Sequence, residues 1–157
     1  MSDDASFDWL APEAAVRSAT SHLSRLAAAR VSPPVSPDQP LRVLELGCGT
    51  SRLAMELAAA APTWHVVAVD FSRAAIEACR ERYGSQQNLK WRIMDARALR
   101  LPPDSFDAVV EKGTLDAMLL GRSGGQSAVR TALDEAHRIL KPGGVLLHYT
   151  DEAPEAR

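Results

Sequence analysis

The sequence predicts an α/β fold, a doubly wound parallel sheet with helices on both faces. Three observations predict it. Short valine- and leucine-rich runs alternate with helical segments from Leu41 to Tyr149, which is the pattern of strand–helix–strand units. Proline, glycine and serine mark the boundaries of those units, where turn and cap chemistry requires them. The glycines and acids able to do chemistry fall just after the strands, where open parallel sheets bind their ligands.

Pro12 opens an alanine-rich segment to residue 30, with Val16, Leu23 and Leu26 at near-helical spacing, so the spacing predicts an amphipathic helix. Val31 to Pro40 holds four prolines and reads as a linker. Residues 1–40 are therefore an N-terminal segment ahead of a core at 41–157. Leu41 to Leu46 is a short apolar strand, and Ser51 to Ala61 a helix stopped at Pro62. His65 to Val69 is the second strand. Ser72 caps a helix that runs to Tyr83, with Gly84 past its end. Leu89 to Met94 is the third strand, Pro102 to Ser105 a turn and Phe106 to Val110 the fourth strand. Gln126 to Leu140 is a helix ended by Lys141-Pro142-Gly143-Gly144, and Val145 to Tyr149 is the fifth strand. Right-handed crossovers join such strands into an open, Rossmann-like sheet.

A length of 157 residues suits one core, and 46% apolar with 24% charged residues is an ordinary globular mix. A net charge of −2 gives no overall electrostatic case for nucleic acid, and no apolar run approaches the roughly 20 residues of a membrane span. Met1 to Ser6 carries two aspartates and no basic residue, unlike a secretory or transit sequence. The expected compartment is the cytoplasm, or the mitochondrion if a transit peptide precedes the chain. Cys48 and Cys79 lack metal-ligand spacing and read as reduced thiols. His22, His65, His137 and His148 are scattered, with no metal spacing among them.

Four motifs follow strands. In Glu45-Leu46-Gly47-Cys48-Gly49-Thr50-Ser51, Gly47 and Gly49 let the chain bend sharply and a ligand approach the backbone. Arg52 stands where a dinucleotide fingerprint has its third glycine, so a pyrophosphate would be crowded. Glu45 can face a positive amino group, directly or through water. Asp70, closing the second strand, can accept both hydroxyls of a ribose, a device shared by several nucleotide cofactors. Phe71 packs either on an adenine or in the core. Asp95 with the small Ala96 can accept an adenine amino group and leave room for the ring. Finally, Glu111, Lys112 and Asp116 run off the fourth strand beside the switch point of the sheet.

Together these residues resemble the class I, seven-strand methyltransferases that use S-adenosylmethionine (SAM). More narrowly they resemble the lysine methyltransferases of elongation factor 1A and of citrate synthase. Phe7-Asp8-Trp9 is similar to that group's aromatic-Asp-Trp segment, and Glu45 to Ser51 to its Glu-Leu-Gly-Cys-Gly loop. Glu111-Lys112-Gly113-Thr114-Leu115-Asp116-Ala117 resembles its more specific Lys-Gly-Thr…Asp-Ala motif. The tail, residues 150–157, resembles the citrate synthase enzyme, and Leu89 to Asp95 the elongation-factor group. The resemblance implies that Trp9, Gly47, Asp70, Phe71, Asp95, Ala96 and Lys112 contact SAM and that the acceptor is a lysine of a folded protein. Trp9 either folds over the cofactor or anchors the first helix.

Two departures from the family stand out. Ala11-Pro12-Glu13 replaces its further aromatic residue. The family's last two strands do not follow the fifth, whose edge is then expected to be exposed. Methyl transfer to lysine needs in-line alignment and an amine stripped of a proton it normally holds to about pH 10.4. Glu111 and Asp116 are the candidate catalytic groups at the substrate mouth. The alternatives are an inactive SAM- or partner-binding fragment and a small-molecule methyltransferase. A nicotinamide oxidoreductase is disfavoured by Arg52 and by the lack of a Tyr-x-x-x-Lys set.

Overall fold

The computed structural model describes residues 12–29, 40–84, 86–121 and 124–150. Its elements are α1 (Pro12–Ala29), β1 (Leu41–Leu46), α2 (Leu53–Ala60), β2 (Trp64–Asp70), α3 (Arg73–Tyr83), β3 (Leu89–Ile93), β4 (Phe106–Lys112), α4 (Thr114–Leu119), α5 (Gly125–Ile139) and β5 (Leu140–Tyr149). They form one five-stranded sheet in the order β3-β2-β1-β4-β5, and every pairing is parallel. The strand order reverses between β1 and β4, which makes the ends of these strands the switch point.

Side-chain chemistry explains the layers. Val43, Val66, Ala68, Ala108 and Val110 face Leu53, Leu57 and Ile76 of α2 and α3 and Leu23 of α1. Leu44, Leu46, Val69 and Val109 face Leu115 of α4 and Ala132, Ala136 and Ile139 of α5. Central strands covered on both sides lose the polar–apolar alternation. Accordingly β4 is buried from Phe106 to Glu111, while β3 alternates buried Leu89 and Trp91 with exposed Lys90 and Arg92.

Three departures from the expected elements have local causes. α2 begins at Leu53 because Ser51 and Arg52 belong to the glycine-loop turn, Arg52 being the helix cap. A further short helix, α4, is started by the left-handed Gly113; its six residues are too few to show a helical period. Strand β5 starts early, with Leu140 opposite Phe106 and Val145 opposite Ala108. Lys141 to Gly144 bulge out between these pairs, and Gly143 has a φ of 78°. Between β3 and β4 no helix forms. Arg138 ties this connection to α5 by donating to the carbonyls of Leu99 and Leu101, while Glu135 accepts from Leu99 N.

The division at residue 40 cannot be followed in space, since 1–11 and 30–39 lie outside the described residues. The aromatic-Asp-Trp segment with Trp9, and residues 151–157 of the tail, lie outside them too. Within them, β3 and β5 are the edge strands.

Candidate functional site

The glycine loop leaves β1 and is held from two sides. Gly47 N and Cys48 N both donate to Val69 O, at 2.8 and 2.9 Å. Gly47 has a φ of +69°, and a Cβ on it would lie 2.3–2.9 Å from the side chain of Thr114. Only glycine tolerates both conditions. Thr114 Oγ1 shares its proton between the carbonyls of Leu46 and Gly47, at 2.9 and 3.0 Å. The Glu111–Ala117 segment is thus latched directly onto the glycine loop, although they are far apart in sequence.

Glu45 lies beneath that loop, 2% exposed. Its Oε1 accepts from Ser51 Oγ at 3.0 Å and its Oε2 from Ala54 N at 2.9 Å. Burial pushes its carboxyl up to about 8, against those two hydrogen bonds and the charge of Lys112, which pull it down. Its carboxyl ties the loop to the start of α2, so it forms the floor of the site rather than its open wall.

Asp70 ends β2. Its Oδ2 accepts from Gly49 N and its Oδ1 from Ser72 N, both at 2.8 Å. Each oxygen keeps capacity for a further donor. Ser72 caps α3 by accepting from Ala75 N. Phe71 projects beside Asp70 with 81% of its surface exposed, so the core reading of Phe71 is set aside. Met94 N donates to Asp70 O, which brings the end of β3 alongside. Beyond it Ala96 is buried, and Asp95 forms an ion pair with Arg97 at 2.6 Å. The Arg97 hydrogen bonds hold the Asp95 carboxyl below its ordinary value.

On the other side of the switch point, Lys112 ends β4 close enough to Glu45 for its charge to act there. Glu111 is fully buried. Its Oε2 accepts from Thr114 N and Leu115 N, both at 3.1 Å, and its Oε1 meets His148 Nδ1. Buried and turned toward these partners, the Glu111 carboxylate supports the start of α4 rather than facing open space. Asp116, in the first turn of α4, has a buried Oδ2 with no hydrogen-bond partner. A carboxylate oxygen without a donor in a buried position is costly and is the sort of atom a bound amine would satisfy.

The structure therefore gathers Glu45, Gly47, Gly49, Asp70, Phe71, Asp95, Ala96, Lys112, Glu111 and Asp116 at the carboxyl ends of β1, β2, β3 and β4. Trp9 lies outside the described residues. Sequence reasoning missed four participants. Thr114 needed the β1–β4 adjacency to be known. His148 meets Glu111 because the two are register partners across β4 and β5, a pairing that strand register alone discloses. Cys48 and Cys79 come within hydrogen-bonding reach, and that bond, with burial adding to it, pushes the Cys48 thiol up. Both cysteines are free, and Cys79 Sγ donates to Gly49 O at 3.4 Å. Asp107 belongs elsewhere: it lies at the start of β4, paired with Lys141 at 2.8 Å.

Comparison with known proteins bears on this assembly. The sequence profile described as "Methyltransferase domain" matches residues 43–144. EEF1A lysine methyltransferase 4 of Mus musculus is 40% identical over 136 residues, covering 82% of this chain and 52% of that protein. A demethylmenaquinone methyltransferase of Clavibacter sepedonicus is 37% identical, covering 78% and 44%. The mitochondrial citrate synthase-lysine N-methyltransferase of Homo sapiens is 35% identical, covering 75% and 54%. A crystal structure of a Pyrococcus horikoshii OT3 protein superposes with a TM-score of 0.62 at 25% identity, over 89% of this chain and 57% of the other. The chain spans about half the length of the curated relatives it matches. A profile match that runs from β1 into the bulge of β5, on a sheet with this switch point and this glycine loop, settles the family: this chain belongs to the methyltransferase domain family.

Proposed function

We propose that the protein is a SAM-dependent methyltransferase acting on a lysine side chain of a protein substrate. The observation that carries this reading is the latch between Thr114 and the glycine loop. It joins the segment resembling lysine methyltransferases and the cofactor-type loop into one structural unit. Relatives named as lysine methyltransferases of EEF1A and of citrate synthase support a protein acceptor of that kind.

The residues present fit SAM. Asp70 retains acceptor capacity for ribose hydroxyls, exposed Phe71 offers a face for the adenine, and Asp95 can accept its amino group once turned from Arg97. Gly47 makes room for Thr114 and so shapes the loop, Gly49 has open space beside it for the methionine part, and Lys112 can meet its carboxylate. Glu45 acts through the loop it holds. When bound, SAM supplies an electrophilic methyl carried on a sulfonium sulfur. The chain's own residues must present a neutral amine in line with it and shed the amine proton. Asp116 is assigned to the amine through its unpartnered oxygen, and Glu111 sets the position of α4 and hence of Asp116. With the methyl accepted by the nitrogen and the sulfonium given up as a neutral thioether, the surplus amine proton would pass to the Asp116 carboxylate or to water.

Titration calorimetry of SAM into wild type and Asp70→Ala, followed by mass spectrometry of lysines on candidate acceptors, tests this reading. Wild type should bind, and the variant should bind at least tenfold more weakly. Equal affinity would remove the cofactor assignment. A second reading, methylation of a small molecule, is favoured by the demethylmenaquinone relative. Turnover on a quinone-type acceptor with no label in protein would select it. Binding with no transfer to either would leave a SAM-binding module.

A further inference from the structure

The helix-free connection between β3 and β4 leaves part of one sheet face bare, and that face is basic. Its outward positions on the first halves of β1 and β2 and along β3 are Arg42, His65, Lys90 and Arg92, all exposed. With Arg100 from the connection they line a cavity of about 330 Å³, floored by Val67 and Phe106. No acidic residue is among its lining residues. Four arginine and lysine side chains therefore converge in a protein whose net charge is −2.

Two of the cations are already positioned. The Arg42 guanidinium sits 5.1 Å from the centre of the Phe106 ring, a cation–π contact. Arg100 donates to Ile93 O at 3.4 Å. The wall that carries Arg100 is itself fixed, since Arg138 holds the carbonyls on either side of it, those of Leu99 and Leu101. Asp107, the nearest acid along β4, is taken up by Arg42 N and Lys141, and Glu135 by Arg138. Among the described residues no carboxylate pairs with Lys90, Arg92 or Arg100. Like charges held this close repel one another unless an anion joins them.

We propose that this cleft, on the sheet face away from the carboxyl ends of the strands, binds an acidic segment of a partner polypeptide. Guanidinium forks match carboxylates two bonds at a time. Lys90 and Arg92 point the same way, about 7 Å apart along the strand, as do alternate side chains of an extended acidic peptide. Nucleic acid fits less well. Phe106 is fully buried, which leaves the exposed imidazole of His65 as the one ring among the lining residues open to a base, too little for the successive stacking of a single strand, and the negative net charge opposes a long polyanion beyond the cleft. The proposal does not depend on methyl transfer, so it can stand or fall separately from it.

Fluorescence anisotropy with a labelled octa-glutamate peptide at low salt tests it, with octa-glutamine and an eight-nucleotide oligo-dT as comparison probes. Wild type should bind octa-glutamate in preference to both. Arg92→Glu should raise the Kd at least tenfold, and the neutral pair Lys90→Gln/Arg92→Gln should raise it in the same direction. Arg17→Glu changes net charge as much as Arg92→Glu does, on exposed α1, and should leave Kd within twofold. An equal loss in Arg17→Glu would reduce the effect to overall charge and overturn the proposal. So would no binding of octa-glutamate, or tighter binding of oligo-dT.

Discussion

At the scale of single residues, Glu45 is a buried acid beneath the glycine loop that carries a large electrostatic demand. Its carboxyl stands near 8 in the folded chain against an ordinary 4.5. Below pH 4.5 it is protonated in both states and costs nothing. Between 4.5 and 8 the unfolded chain releases the proton while the folded chain keeps it, so stability falls as pH rises, and above about 8 the loss is complete. Glu45→Gln imitates the protonated group, because its oxygen can still accept from Ala54 N while its amide donates to Ser51 Oγ. Urea unfolding should therefore show the variant gaining on wild type by ~1.4 kcal/mol per pH unit through that window, with no gain at about pH 4. A gap that stays constant with pH would mean that Glu45 is ionised in the folded protein. The sequence disclosed Glu45 as a site residue because an acid closes a strand just before a glycine. It could not disclose the partners of that acid, since Ser51 and Ala54 reach it only once the loop is folded. Asp116 is similar: its motif marked it, but its unpartnered oxygen is a property of packing.

At the scale of elements, α4 depends on one side chain. Gly113 starts it without a side-chain cap, and Glu111 takes over by accepting from Thr114 N and Leu115 N. Glu111→Ala would leave the donors of Thr114 N and buried Leu115 N unsatisfied and remove the contact of Glu111 with His148, at a cost of about 3 kcal/mol or more. Chemical denaturation measures that cost, and a loss under about 0.5 kcal/mol, the range of neutral surface changes, would rule out this capping role. Elements of ordinary length were legible beforehand, because a strand of five to seven residues or a helix of three turns repeats its pattern enough to be recognised. α4 was not, nor was the early start of β5, because the first is too short for a period and the second is a pairing event. The basic cleft also arises at this scale. Exposed Lys90 and Arg92 read as ordinary solvated charges until the absent helix between β3 and β4 shows that they share a face with Arg42 and Arg100.

For the molecule as a whole, β1 is the keel of the sheet. It pairs with β2 on one side and β4 on the other and is covered by helices on both faces, whereas β3 and β5 have one strand neighbour each. Native-state hydrogen exchange should rank the amides of Val43 to Leu46 and of Val109 and Val110 as the slowest, exchanging only with global unfolding. Those of Trp91 and Ile93, on the outer side of β3, and of the outer side of β5 should exchange by local opening. Edge amides as slow as those of β1 would imply that another strand covers an edge. The doubly wound order was legible from alternation alone, because parallel crossovers admit few topologies. Which residues meet across the switch point was not, since that depends on the register of strands distant in sequence.

The hydroxyl of Thr114 touches both sides of the cleft that the proposed reaction would occupy. One side is the backbone of Leu46 and Gly47; the other is the helix that carries Asp116. Any occupant that shifts either side must work against the same two hydrogen bonds. Cofactor and acceptor would then not be independent guests: each would alter the affinity of the other, and by thermodynamic necessity by the same factor. A single threonine would make the site cooperative within one small domain, with no second subunit involved.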